Sequence, residues 1–323
     1  MKEKNNLKPE LLAVSKRGNI IENLYSGWIC VVNKDKKIVY RKGNVNDSAF
    51  LRSCAKPIQA IPVIESDIKL TQKELAIICG SHTGSKYHQV VLNEIIKENK
   101  LNLELLKCGI HMPFDEEEKN RLIRKNLKPN VLHNNCSGKH LGMLCVCKKN
   151  KYNLTDYLSP EHPLQMEILK NIKELSEYKN IQTAIDGCGL PTFSLPIINI
   201  ARMFSSFGSD KRYKTILNAM TLFPYIVGGK GQIDSEVMKI SNGKIMAKVG
   251  ADGIIIAAYD GNSLIVKIAD GSPKIRAYVF LNMLVKLGWI KKEAILKSNI
   301  RDLYIGEIKN IAGENVGALS LQA

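Results

Sequence analysis

Four short segments of this chain hold residue types that can do chemistry. Arg52-Ser53-Cys54-Ala55-Lys56-Pro57 sets a hydroxyl and an amine three residues apart. In a helical turn those two side chains share a face, the arrangement in which a lysine desolvated by burial takes the proton of a serine nucleophile. Pro57 lacks an N–H and its ring crowds the carbonyl four residues back, so the helix should begin no earlier than Ser53. The hydroxyl then meets the positive end of the helix dipole. The same spacing also describes a capping serine followed by an exposed lysine. Cys79-Gly80-Ser81-His82-Thr83-Gly84-Ser85 is a loop of small residues between an apolar run (Leu75 to Ile78) and a helix. Its N–H groups and hydroxyls suit a carboxylate or oxyanion. Ser81 and His82 tempt one toward a Ser-His pair, but neighbours in a loop seldom face each other, and a turn or capping role competes.

Two further loops each carry a cysteine among turn residues: His133-Asn134-Asn135-Cys136-Ser137-Gly138-Lys139-His140 and Asp186-Gly187-Cys188-Gly189. Thiolate and imidazole are the ligands Zn²⁺ prefers, so Cys136 and Cys188 are candidate ligands with His140 as a possible third; a pair of buried free thiols is the alternative. Cys145 and Cys147, inside the apolar run Leu141 to Val146 and at its end, read as core. Lys267 stands alone in the apolar strand Leu264 to Ile268, either on a solvated face or as a buried amine aimed into a site.

Elements that must position these residues are legible around them. Trp28 to Val32 and Lys37 to Tyr40 flank the polar turn Asn33 to Lys36, a hairpin after an irregular start. A second hairpin runs from Gly253 through Asp260-Gly261-Asn262 to Ile268. Helices are predicted where His88, Leu92, Ile95 and Ile96 repeat, and from Pro160 to Pro163 onward, with Ser159 as cap and Leu164, Ile168, Ile172 and Leu175 on one face. A last helix over Lys274 to Leu287, stopped by Gly288, should pack on the sheet. Strands at both ends with helices between predict an α+β fold, an antiparallel sheet with helices, as one domain over residues 1–323.

Composition narrows the function classes. The net charge of +16 raises a nucleic-acid partner, yet the basic residues are dispersed and aromatics make up only 6%, so neither an electrostatic arm nor a stacking surface is evident. The longest clean apolar run, Gly253 to Tyr259, is far below the ~20 residues of a membrane span. Met1-Lys2-Glu3-Lys4-Asn5-Asn6 has no apolar stretch behind it that resembles an export leader, and eight cysteines in 323 residues do not form a disulfide framework. A cytoplasmic protein is expected.

Taken together, Arg52 to Ala60, Ser81-His82-Thr83-Gly84, Asn134 to His140, Asp186 to Gly189, Val227-Gly228-Gly229 and Lys267 to Gly271 occur in the order seen in one family. The chain resembles the asparaginase II family, the rhizobial-type third class of L-asparaginase, over nearly its whole length. That resemblance implies a cytoplasmic homodimer with a serine β-lactamase/penicillin-binding-protein-like fold that hydrolyses L-asparagine to L-aspartate and ammonia. It implies one Ser-Lys tandem of Ser53 and Lys56 and a second of Ser81 and Lys267, with Lys274 as the nearest competitor for the second amine. Cys136, Lys139 and Cys188 would bind Zn²⁺, and Asp186, His82 and Arg52 would bind substrate. An amine ligand must lose its proton to the metal. Tyr25 stands where relatives usually carry a histidine. Three other readings compete: a glutaminase or other small-amide hydrolase of the same fold, a penicillin-recognising enzyme, and a zinc-stabilised nucleic-acid module. The second would want S-D-N and K-T-G, where this chain has Lys214-Thr215-Ile216.

Overall fold

Near-continuous apolar runs such as Trp28 to Val32, Ile254 to Ala258 and Leu264 to Val266, buried at successive positions, build the centre of an antiparallel sheet. A computed structural model describes residues 7–323; the polar start Met1 to Asn6, on which part of the leader reading rested, lies outside them. The strands are β1 (Glu10–Arg17), β2 (Ile20–Val32), β3 (Ile38–Lys42), β4 (Ser48–Phe50), β5 (Gln182–Ile185), β6 (Pro191–Pro196), β7 (Ile245–Val249), β8 (Ile254–Tyr259), β9 (Asn262–Ile268), β10 (Glu307–Lys309) and β11 (Asn315–Leu321). The main sheet runs β10-β11-β1-β2-β9-β8-β7 with β3 beside β2, and a smaller sheet runs β4-β6-β5. Chain termini meet as expected, Ala13 opposite Leu321. The start is not irregular, however, because β1 and β2 form a hairpin around Gly18, which takes a φ of 55°.

Both predicted hairpins form. Asp260 and Gly261, with φ of 48° and 75°, make the tight two-residue turn between β8 and β9, as their residue types favour. Helix Pro273–Lys286 packs on β8, β9 and β1, and helix Ile197–Ser209 on β2, β8 and β9. The helix of Leu164, Ile168, Ile172 and Leu175 spans Pro163–Ser176 with all four buried. Its cap is His162, whose ring accepts the Leu164 N–H, while Ser159 bonds Glu161 instead. The helix of His88 covers Lys86–Glu98, capped by Ser85.

Helix Ser137–Lys149 is buried from Ser137 to Cys147, so it has no polar face and passes through the protein's middle. Gly138 makes that path possible: a Cβ there would sit 2.4 Å from the carbonyl oxygen of Ile77, in helix Gln72–Ile78. This close approach sets the Cys136–Lys139 turn beside the loop that follows Ile78. No helix among the described residues is long and apolar enough to cross a membrane.

Candidate active site

Arg52 to Ala55 form a 3₁₀ turn that runs into a short helix, Lys56–Gln59, with Pro57 in its first turn. Lys56 follows Ser53 by three residues across this junction, the spacing at which residues of a 3₁₀ turn eclipse. Lys56 is fully buried, and its amine donates to the carbonyls of Gly80, at 2.5 Å, and Asn135, at 2.9 Å. One amine therefore ties the serine turn to the Ser81 loop and to the Cys136 loop. Burial pushes this amine down to about 8, against the pull of the Cys136 thiol, with the Lys139 and Lys248 charges lowering it further.

Ser81 is not met by Lys267. Its hydroxyl accepts a hydrogen bond from Lys248 Nζ at 2.9 Å, and Lys248, in the middle of β7, is fully buried. The register explains the difference. Lys248 lies opposite Ile256, Ile256 opposite Ile265, and Lys267 two residues beyond Ile265, so both lysines leave the same face of the sheet. They stand on strands two apart, however, roughly 10 Å in the hydrogen-bonding direction, and the Ser81 loop lies over the outer one. Lys267 instead donates to Ile268 O at 2.6 Å. Lys274 is exposed at the start of its helix. Lys248 carried the same signal in the sequence as Lys267, a lone lysine in an apolar strand, and went unremarked.

The two cysteine loops also converge. Cys136 precedes the first turn of its helix, Cys188 lies in the turn between β5 and β6, and Lys139 Nζ is 3.3 Å from Cys188 Sγ. Cys188 hydrogen-bonds Cys136, which holds the Cys136 thiol well below its usual range and raises that of Cys188; the Lys56 and Lys139 charges add to the first effect. Burial works to lower the Lys139 amine, but the charges of Cys136, Cys188 and Asp186 outweigh it and the amine is raised. His140 turns away: its Nδ1 pairs with Tyr157 OH at 2.7 Å. Arg52, held at a φ of 48°, donates from Nε to Asp186 Oδ1 at 2.9 Å and from Nη1 to Asp252. The Gly187 N–H lands on the same Oδ1.

Both ring nitrogens of His82 are engaged within the protein. The residue is fully buried, with Nδ1 accepting the Gly84 N–H at 3.2 Å and Nε2 donating to Ser137 Oγ at 2.9 Å, bonds that fix the loop. The ring stacks on His88 at 5.1 Å between centroids. Burial holds His82 well below the usual imidazole range and His88 at about 4. An unfolded imidazole titrates near 6.5, so below that pH the unfolded chain binds protons the native chain refuses. Their contribution is whole above pH ~6.5 and is lost as pH falls toward 4, His88 alone accounting for about 3 kcal/mol. Denaturant midpoints should drop between pH 7 and pH 4.5, and His88→Gln should flatten that drop; equal slopes in the two proteins would refute it.

The roomier surface clefts lie elsewhere: one of about 610 Å³ lined by Gln72, Asn218 and Lys239, and one of about 530 Å³ lined by Met166, Lys170 and Glu174. Neither holds a serine or lysine of this site. Among the described residues no three His, Cys, Asp or Glu side chains gather as a metal cage.

A serine hydroxyl bonded to one buried lysine, with a second buried lysine, a carboxylate and two thiols on the converging loops, is the observed arrangement. The chain belongs to the L-asparaginase II family, whose pattern matches residues 13–321. It is an amidohydrolase that acts on L-asparagine. Among solved structures it is similar to a β-lactamase from Mycobacterium bovis, with 12% identity, a TM-score of 0.41, and coverage of 82% of this chain and 95% of that one. No curated protein matches it.

Proposed function

We propose that the chain hydrolyses L-asparagine to L-aspartate and ammonia through two serine–lysine pairs, Ser53 with Lys56 and Ser81 with Lys248. The observation that carries this reading is the buried Lys56 amine, bonded to Gly80 O and Asn135 O and so gathering all three loops around one point. Ser53 attacks the side-chain amide, Lys56 takes its proton, and water releases aspartate from the acyl-serine. Asp186 Oδ2 holds the substrate's α-ammonium, with Arg52 fixing the carboxylate's orientation. Ammonia release from L-asparagine by the purified protein is the direct test. Release from L-glutamine at an equal kcat/KM would favour the broader amidase, since a pocket discriminates one methylene by only ~1–3 kcal/mol.

A zinc ion belongs to this proposal, held by Cys136, Lys139 and Cys188. The donor chemistry fits: two thiols and an amine, with an N–S separation of 3.3 Å that is close to the spacing of neighbouring donors on a tetrahedral ion at ~2.0–2.3 Å. When bound, the ion supplies positive charge and a fixed distance between the two loops. Lys139 must then yield its proton, and Asp186, two residues before Cys188, is steadied toward the substrate. One zinc per chain is expected by elemental analysis, with chelation raising KM more than it lowers kcat. Less than a tenth of an equivalent would remove zinc from the reading.

The same proposal includes one domain over residues 1–323, supported by a core cluster running from Leu12 to Leu319. It also includes cytoplasmic residence, supported by eight free thiols, and a homodimer, for which the edge strand β5, exposed along its length, offers a face.

A further inference from the structure

The Ser81–Lys248 pair differs from Ser53–Lys56 in its company. Lys248 Nζ donates to Ser81 Oγ at 2.9 Å and to Val249 O at 2.8 Å, and it forms an ion pair with Asp234 Oδ2 at 3.5 Å. Lys248 and Asp234 are both fully buried. Asp234, in the first turn of helix Ile233–Ile240, is itself fixed, accepting the Val249 N–H on Oδ2 and the Ser235 N–H on Oδ1. A carboxylate 3.5 Å away where both groups are fully buried favours the charged form of the amine, because each charge would otherwise be buried alone. Lys56, by contrast, meets carbonyl oxygens and no carboxylate.

We propose that Asp234 is a positioning residue that holds Lys248 as an ammonium against Ser81, making this pair the proton-donating arm of the reaction. The inference rests on the asparaginase reading above. During acylation the Ser53 proton goes to Lys56 as the Ser53 oxygen bonds the amide carbon. The C–N bond breaks as Ser81 passes its proton to the leaving nitrogen and refills from Lys248, so neutral ammonia departs and Lys248 is left as the free amine. During deacylation water gives one proton to Lys248 and its hydroxyl to the acyl carbon, while Lys56 returns its proton to the Ser53 oxygen. Both lysines end as they began, and the aspartic acid formed ionises toward the ammonia.

Other charged and titratable groups face this pair. The Cys54 thiol donates to Lys248 O, Arg276 of helix Pro273–Lys286 lies near Asp234, Cys79 adjoins from the Ser81 loop, and Lys56 repels Lys248 across the site. Asp234 is the only carboxylate paired with Lys248 among the described residues.

The test compares kcat against pH for the wild type, Asp234→Asn and Asp234→Glu. A donor arm makes kcat fall on the alkaline side. Asp234→Asn should lose roughly 10²-fold in kcat, and its alkaline limb should move at least one pH unit lower, with Asp234→Glu returning the limb toward wild type. A merely structural aspartate would change the amplitude and leave the limb where it is, which would overturn the proposal. Should neither variant fold, the ¹⁵Nζ resonance of Lys248 in the wild type, assigned by its loss in Lys248→Met, decides at pH 8. An ammonium shift supports the proposal and a free-amine shift overturns it. That measurement needs no substrate, so the two failures are distinguishable: a chain inert toward asparagine would remove the functional reading and the donor arm with it, while a free-amine shift in an active enzyme would overturn only the proposal for Asp234 and Lys248.

Discussion

Lys248→Ala is expected to lose roughly 10²–10⁴-fold in kcat, while Lys267→Ala stays within a few-fold of the parent. The contrast follows from the hydrogen bonds: the Lys248 amine lies 2.9 Å from Ser81 Oγ, and the Lys267 amine is spent on its neighbour's carbonyl. Lys248→Ala also strands Asp234, a fully buried carboxylate, and an uncompensated buried charge costs ~3–5 kcal/mol. Stability and chemistry can be separated. The double variant Lys248→Met with Asp234→Leu removes both charges and should recover most of the lost stability in a denaturant melt, yet recover no activity. Activity that returns with stability would mean that Lys248 only supports the fold; a large loss in Lys267→Ala would restore the assignment drawn from family resemblance.

The larger loss is expected at the other pair. Ser53→Ala should cost on the order of 10⁴–10⁶-fold in kcat, and Lys56→Met nearly as much, because nucleophile and base act as a unit. The double variant should then be little worse than either single. Below the folded value of about 8, Lys56 carries a proton and cannot accept one from Ser53; above it the free amine predominates. Activity should therefore rise from pH 6 through pH 8, and this acid limb should vanish from the residual activity of Lys56→Met. Near wild-type turnover in Ser53→Ala would move the nucleophile to Ser81. A rate maximum near pH 5 would exclude lysine as the base.

Residues within one turn or one loop were legible in the sequence because their relation is local. The two-residue turn at Asp260-Gly261 and the buried stripe Leu164, Ile168, Ile172 and Leu175 both came through in the fold. So did the order of motifs that marks the family, matched over residues 13–321. Which lysine serves Ser81 was not legible, since Lys248 and Lys267 have the same apolar neighbours and project from the same face of one sheet. The choice depends on which strand lies under the Ser81 loop, and that is set by sheet order and by the packing of Gly138 against Ile77. The orientation of His82 was not legible for a similar reason: its ring is held by Ser137 and Gly84, a contact 55 residues away joined to one only two away. Asp234 gave no sign at all, because a carboxylate in the first turn of a helix ordinarily faces water and favours the dipole. Only the closing of that helix onto β7 buries it, and a buried carboxylate needs a cation, which fixes the charge of the lysine it meets.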